Sequence, residues 1–285
     1  MTASAPPPGG QTYVERRPAP ALAGLVASVW VQQIAADANP YVHRNLPHGG
    51  MELVWHLGST PQILGPATRP ASDVLSPGTT VLGLRFRPGA AAAVLGLPTG
   101  ELVDLSVPAG DLWGSPAVAL AEQADDATPD DALLGLQRLV AARMSDAADP
   151  DPLVDDAVRL LMPWQAGAVR PLMTSLGISE RQLRRRCLAS VGLAPKTLHR
   201  ILRFQGFLAL VQSAVARGRT PTDDRLALLS AEAGYADQSH LTRECVRLTG
   251  VSPRAFLGDT HRNCACGHDH AASFTPMLEA RPPLG

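Results

Sequence analysis

The strongest constraint in this 285-residue chain is a pattern that occurs twice. At Leu172-Met173-Thr174-Ser175-Leu176-Gly177-Ile178-Ser179 and at Leu229-Ser230-Ala231-Glu232-Ala233-Gly234-Tyr235-Ala236-Asp237, a helical pattern stops at glycine. An apolar residue follows, then a side chain suited to start a new helix. Glycine tolerates the left-handed backbone that a sharp corner between two helices needs. Ile178 and Tyr235 are then expected inside the corners. Ser179 with Gln182 has the form of a capping box, and Asp237 is a good N-cap. The helices that follow place Leu183 and Cys187, and Leu241, Cys245 and Leu248, at the spacing of a buried stripe.

Between the two corners, Leu198, Ile201, Leu202, Gln205, Leu208 and Val211 recur at helical spacing within Pro195–Val215. They predict one long helix that links the two units and holds them at a fixed separation. Upstream, Asp146–Pro152 is an acidic, proline-containing break and the best domain boundary. The expected domain plan is a disordered N-terminus at 1–12, an effector or oligomerisation domain at 13–149, an all-α domain of two helix-turn-helix units at 153–258, and a flexible tail at 260–285.

Charge points the helical part toward a polyanion. Residues 1–150 hold 8 Arg and 14 acids, whereas residues 151–259 hold 15 basic residues and 10 acids. From Arg181 through Thr222 there are nine basic residues and no acid. In a helix-turn-helix the N-terminal part of the second helix enters the major groove of DNA. Arg181, Arg184 and Arg185 lie outward on the first such helix, with Arg186 turned partly aside toward phosphate. Gln238, Ser239, Thr242 and Arg243 lie outward on the second. Arginine can pair bidentately with guanine, Gln also reads base edges, and Ser and Thr serve bases or phosphates.

Gly234-Tyr235-Ala236-Asp237-Gln238-Ser239-His240-Leu241-Thr242-Arg243, with Gly250-Val251-Ser252-Pro253-Arg254-Ala255-Phe256, resembles the signature segment of the AraC/XylS family of transcriptional regulators. Ser179-Glu180-Arg181-Gln182-Leu183-Arg184-Arg185 resembles that family's first recognition helix. The resemblance covers about a third of the chain. It implies that the outward residues above face successive major grooves. It departs in three places: Cys187 and Cys245 stand where a buried Phe is usual, and Met173 where a small Ala is usual. The two Cys changes remove aromatic volume, which loosens the packing unless neighbours such as Met173 fill in.

The N-terminal part reads as short strands with flanking helices, an α+β domain of barrel or sandwich type. Met51, Leu53, Trp55 and Leu57 alternate onto one strand face. Val29–Val31 and Val81–Phe86 are further strands; Ala90–Leu95, Ala117–Ala124 and Asp131–Met144 are helices. Tyr13–Gly114 resembles an uncharacterised domain found in a subset of the same regulators, on Val29-Trp30, Leu46-Pro47-His48-Gly49, Gly83–Gly89 and Asp111-Leu112-Trp113-Gly114. That implies an effector or oligomerisation module without naming a ligand. Arg85 and Arg87 share a strand face and either meet an anionic effector or pair with local acids. His43, His48, Glu52 and His56 lack the spacing of a strong metal motif.

The tail holds Cys264, Cys266, His268 and His270, two thiols and two imidazoles suited to Zn²⁺ or Cu⁺, against the plain alternative of a disordered tail. No other cofactor is expected. The leading expectation is a cytoplasmic, sequence-specific regulator of transcription with double-stranded DNA, RNA polymerase, a small-molecule effector and a second copy of itself as partners. The alternatives are a metal- or thiol-responsive regulator that senses through the tail, and an alkylation-repair-like enzyme fused to a DNA-binding domain. The last needs a reactive exposed thiol, and Cys187 and Cys245 face inward, so no enzyme is expected. Mean hydropathy is +0.02, and no apolar run approaches the length of a membrane span.

Overall fold

The structure, a computed structural model, describes residues 10–123, 127–145, 147, 149–163, 169–217 and 223–263. Its first part is built on eight strands: β1 Gln11–Arg16, β2 Val26–Ile34, β3 Tyr41–Asn45, β4 Glu52–His56, β5 Gln62–Leu64, β6 Ala71–Leu75, β7 Thr80–Phe86 and β8 Ser106–Pro108. Six form one antiparallel sheet in the order β1-β2-β7-β4-β5-β8, and β3 pairs β6 as a separate ribbon. β1 starts at Gln11, opposite Ile34, so the chain is ordered before the expected boundary at residue 13. Main-chain pairing along six residues ties this end down.

Successive side chains of a strand point to opposite faces, and here both faces are buried. One carries Val29, Val31, Leu53, Trp55, Leu82 and Leu84 against four helices: α1 Ala91–Leu95, α2 Ala109–Trp113, α3 Ser115–Glu122 and α4 Pro129–Met144. Met51 and Leu57 join this side, as the alternation predicts. Thr128 caps α4 by accepting from the Asp131 amide. The Trp113 indole donates to the Val94 carbonyl at 3.2 Å. The opposite face carries Trp30, Ile34, Val54 and Val81, with Leu75 of the ribbon and the rings of Tyr13 and Tyr41 packed beside them.

Polar residues on this second face are engaged with one another. Arg85 pairs with Glu52 at 2.8 Å and lies 3.7 Å from Glu15, whose carboxylate accepts from Ser28 at 2.6 Å. Arg87 donates to the Ala23 carbonyl at 2.8 Å. Arg85 thus shows the pairing with local acids, whereas Arg87 meets a main-chain carbonyl instead. The four metal-set residues are likewise not gathered: His43 stacks on Trp30 and Glu52 serves Arg85. Among the described residues no group of three or more His, Cys, Asp or Glu is placed to hold a metal ion.

The rest is helical: α5 Pro152–Leu160, α6 Val169–Leu176, α7 Glu180–Ser190, α8 Pro195–Ala216, α9 Asp223–Glu232, α10 Gln238–Thr249 and α11 Pro253–Asn263. Asp151 caps α5 by accepting from the Leu153 amide. α8 is the single 22-residue helix that the periodicity predicts, and its six predicted inward residues are all buried. α11 continues to Asn263, beyond the expected domain end at 258 and into the stretch read as tail. No described helix is long and apolar enough to cross a membrane.

The two parts touch. The Gln205 amide on α8 donates to the Pro47 carbonyl at 2.7 Å, and Gly49 packs against Leu198 and Leu202. A 3-10 turn at Thr99–Leu102 lies against α7, where the Thr99 hydroxyl donates to the Ala189 carbonyl at 3.1 Å.

Candidate nucleic-acid interface

Each unit is built by its corner. In the first, Gly177 takes φ 63° and Ile178 packs into the helical core. The Ser179 hydroxyl accepts from the Gln182 amide at 3.3 Å, while the Gln182 side chain accepts from the Ser179 amide at 3.0 Å. That is the reciprocal capping box, which satisfies two of the amides a helix start leaves open. It fixes the first turn of α7. Leu183 and Cys187 are then fully buried, which leaves Arg181, Arg184 and Arg185 exposed on the opposite side. None of the three pairs with an acid among the described residues. Arg186 differs: it pairs with Asp151 at 2.5 Å, beside the start of α5. The structure thus uses it to hold α7 to α5 and draws it away from its three neighbours.

In the second unit Gly234 takes φ 81°, and Asp237 accepts from the His240 amide at 2.6 Å to cap α10. Tyr235 fills the corner. Its ring meets His240 edge-on at 5.1 Å and Phe207 edge-on at 6.4 Å, and the Arg203 guanidinium sits 5.7 Å from its centre. Leu241, Cys245 and Leu248 are buried as the stripe predicts. Gln238, Ser239 and Arg243 are exposed, and Thr242 is half-buried with its hydroxyl donating to the Gln238 carbonyl at 2.8 Å. Arg243 has no acid partner among the described residues.

The acid-free basic stretch is less uniform in space than in sequence. Arg200 on α8 pairs with Glu244 on α10 at 3.2 Å, and Arg203 lies over Tyr235 beside His199. Burial and Arg203 together lower the His199 pKa to about 4, so this contact is made by a neutral imidazole. Arg186, Arg200 and Arg203 therefore serve the scaffold. Nothing local marks them: the acids they meet lie 35 and 44 positions away.

The two cysteines at the Phe sites are both fully buried. The helical core they belong to holds three phenylalanines from α8 and α11, where Phe204 stacks on Phe207 at 6.2 Å and meets Phe256 at 6.3 Å. Burial pushes the Cys187 thiol up to about 11 and raises that of Cys245 as well, so neither is a thiolate at neutral pH. Cys264, Cys266, His268 and His270 lie outside the described residues.

Residues 172–259 match the family described as "Helix-turn-helix domain", and residues 14–108 match a domain of unknown function, DUF6597. No curated protein matches the chain. Among solved structures, ToxT from Vibrio cholerae is similar at 11% identity over 80% of this chain and 95% of that one, with a TM-score of 0.44. A second structure of ToxT, bound to (E)-4-(8-methylnaphthalen-1-yl)but-3-enoic acid, is similar at 12% identity over 86% and 98%, with a TM-score of 0.46. With both corners formed, both caps in place and the family match spanning them, the chain is a DNA-binding transcription regulator that carries an AraC-type helix-turn-helix domain at 172–259 behind a domain of unknown function at 14–108.

Proposed function

We propose that α7 and α10 are two recognition helices of one reader, set in successive major grooves, and that the N-terminal domain modulates the first of them. The observation that carries this reading is the pair of capped N-terminal turns. Each presents side chains that read base edges, Arg181, Arg184 and Arg185 in one unit and Gln238, Ser239 and Arg243 in the other. A single helix, α8, packs into the core of both. Modulation is supported by the 3-10 turn at Thr99–Leu102, which rests on α7 itself. A ligand or partner that moved this turn would act on α7 directly.

In vitro selection from random DNA, with the intact chain, yields the operator. Against that operator Arg184→Ala and Arg243→Ala are each expected to weaken binding by about 5- to 100-fold, the worth of one bidentate base contact. Each should relax base preference in its own half of the site only. Arg186→Ala should lower stability more than affinity. Unchanged affinity in both Arg184→Ala and Arg243→Ala would remove α7 and α10 as readers.

A further inference from the structure

The β3–β6 ribbon lies over the sheet face opposite α1–α4, and with β2, β4, β5 and β7 it lines a cavity of about 630 Å³. That is within the range of small-molecule sites, roughly 300–1,000 Å³. The two sides of this cavity are held differently. The sheet is laddered through six strands and backed by four helices. Among the described residues β3 and β6 pair only with each other, and a two-stranded ribbon is marginal by itself. Side chains seat it on the sheet: Leu75 and the Tyr41 ring in the apolar cluster, and His43 stacked on Trp30. The ribbon is therefore the wall that can give.

That wall runs straight into the helical domain. His43 and Asn45 of β3 line the cavity. The next residue, Leu46, packs against the helical core, the Pro47 carbonyl accepts from Gln205 at 2.7 Å, and Gly49 lies against Leu198 and Leu202. Those three partners stand in the first half of α8, which packs on α7. A shift of β3 against the sheet is thus carried within four residues to the helix that both units share.

Val54, Leu64, Leu75 and Val81 make much of the cavity wall apolar, and Val74 and Leu105 stand in it 66% and 52% exposed. Its polar residues mostly serve one another. Asn45 donates to Asp73 at 2.8 Å, Asp104 accepts from the Thr68 amide at 2.7 Å, and Ser106 donates to Gln62 at 3.4 Å. Arg69 is exposed to water. His56, half-buried and without a side-chain partner among the described residues, is left to meet one polar atom of an occupant. A charged occupant would lose its hydration here without gaining a buried counter-ion.

We propose that this cavity binds an uncharged, mainly apolar small molecule, and that the β3–β6 ribbon passes its occupancy to α8 through residues 46–49. As a regulatory device it rests on the reading above; as a binding site it does not.

The probe is N-phenyl-1-naphthylamine, an uncharged dye whose fluorescence rises in apolar surroundings, titrated into the intact chain. 8-Anilino-1-naphthalenesulfonate adds one charge to the same rings. The first should bind, and the second at least about tenfold more weakly. Ala71 faces inward from β6, across from Asn45 and in line with Asp73 and Leu75. Ala71→Trp should fill the cavity from the ribbon, and Ala67→Trp from the loop after β5. Each should weaken the dye at least about tenfold, and Ala71→Trp, at an exposed site, should melt within a few degrees of the parent. With dye at about ten times its Kd, openings that empty the cavity slow about tenfold. Amide exchange should slow by that factor at residues 41–49 and 198–205 together, while α10 keeps its rate. No dye binding, equal binding of the sulfonate, undiminished binding in both variants, or slowing at 41–49 without 198–205 would overturn the proposal. Operator affinity measured on the same samples separates the readings. A shift of at least about fivefold with dye supports both. No shift, with α8 slowed, removes modulation by the N-terminal domain and leaves the cavity and its link to α8 standing. Loss of operator binding in the dye-free chain removes only the DNA reader.

Discussion

Phe207→Ala is expected to remove about 3–5 kcal/mol of stability, the cost of emptying a fully buried aromatic site, and to silence the second recognition helix before the first. Phe207 is wholly buried on α8. It stacks on Phe204 and meets the edge of Tyr235, the residue that fills the second corner. That corner sets the angle at which α10 leaves α9. Cys245 is fully buried in the same cluster but is too small to take over the lost volume. In a denaturant melt the midpoint should fall with little change in slope. Footprinting on the selected operator should lose protection on the Arg243 side and keep it on the Arg184 side. Equal loss on both sides would mean that α8 transmits the damage to both units. A wild-type midpoint would mean that neighbouring side chains close the gap without cost.

Gly65→Ala is expected to destabilise the N-terminal domain by about 3 kcal/mol, at the upper end of ordinary overpacking, and to alter binding through the first unit alone. A methyl group at Gly65 would stand 1.6 Å from the Leu102 carbonyl oxygen. The obstacle is main chain, so no rotamer change relieves it. The local ladder is also stiff: Gly65 donates to Leu105 at 2.9 Å, and Asp104 donates to Pro66 at 3.1 Å. Leu102 ends the turn whose Thr99 holds Ala189 on α7. Shifting that turn should register as a lower melting temperature together with a changed contribution of Arg184 to operator affinity. The contribution of Arg243 should stay as it was. Gly24→Ala, with nothing within 4 Å of the new methyl, is the control expected to melt with the parent. If Gly65→Ala also melts with the parent, the turn is free to move and cannot transmit a signal.

These two positions also show what the sequence makes legible. Capping and burial stripes are local, so the box at Ser179–Gln182, the cap at Asp237 and the length of α8 could be read from a dozen residues each. The alternation of Met51, Leu53 and Trp55 was equally plain, because one face of β4 is wholly apolar. Contacts between distant segments leave no such trace. Arg186, Arg200 and Arg203 looked like a polyanion footprint until Asp151, Glu244 and Tyr235 were found beside them. The β3–β6 ribbon escaped notice because its residues are mostly half-buried or exposed and carry no strict alternation. The Cys-for-Phe departures were visible, but the clustering of Phe204, Phe207 and Phe256 from α8 and α11 in the same core had to be seen in space.

The contact between the two parts of the chain has a kinetic consequence. Its named bonds and packing fall on α7 and the first half of α8: Thr99 on Ala189, Gly49 on Leu198 and Leu202, and Pro47 on Gln205. None of these has to break for α9 and α10 to part from α8. Amides of α7 can exchange with solvent only by an opening that also disturbs the Thr99 contact, whereas those of α10 need only a local one. The two helices are thus expected to differ in tempo: amides of α10 should exchange faster than those of α7, which should open together with the domain in front of them.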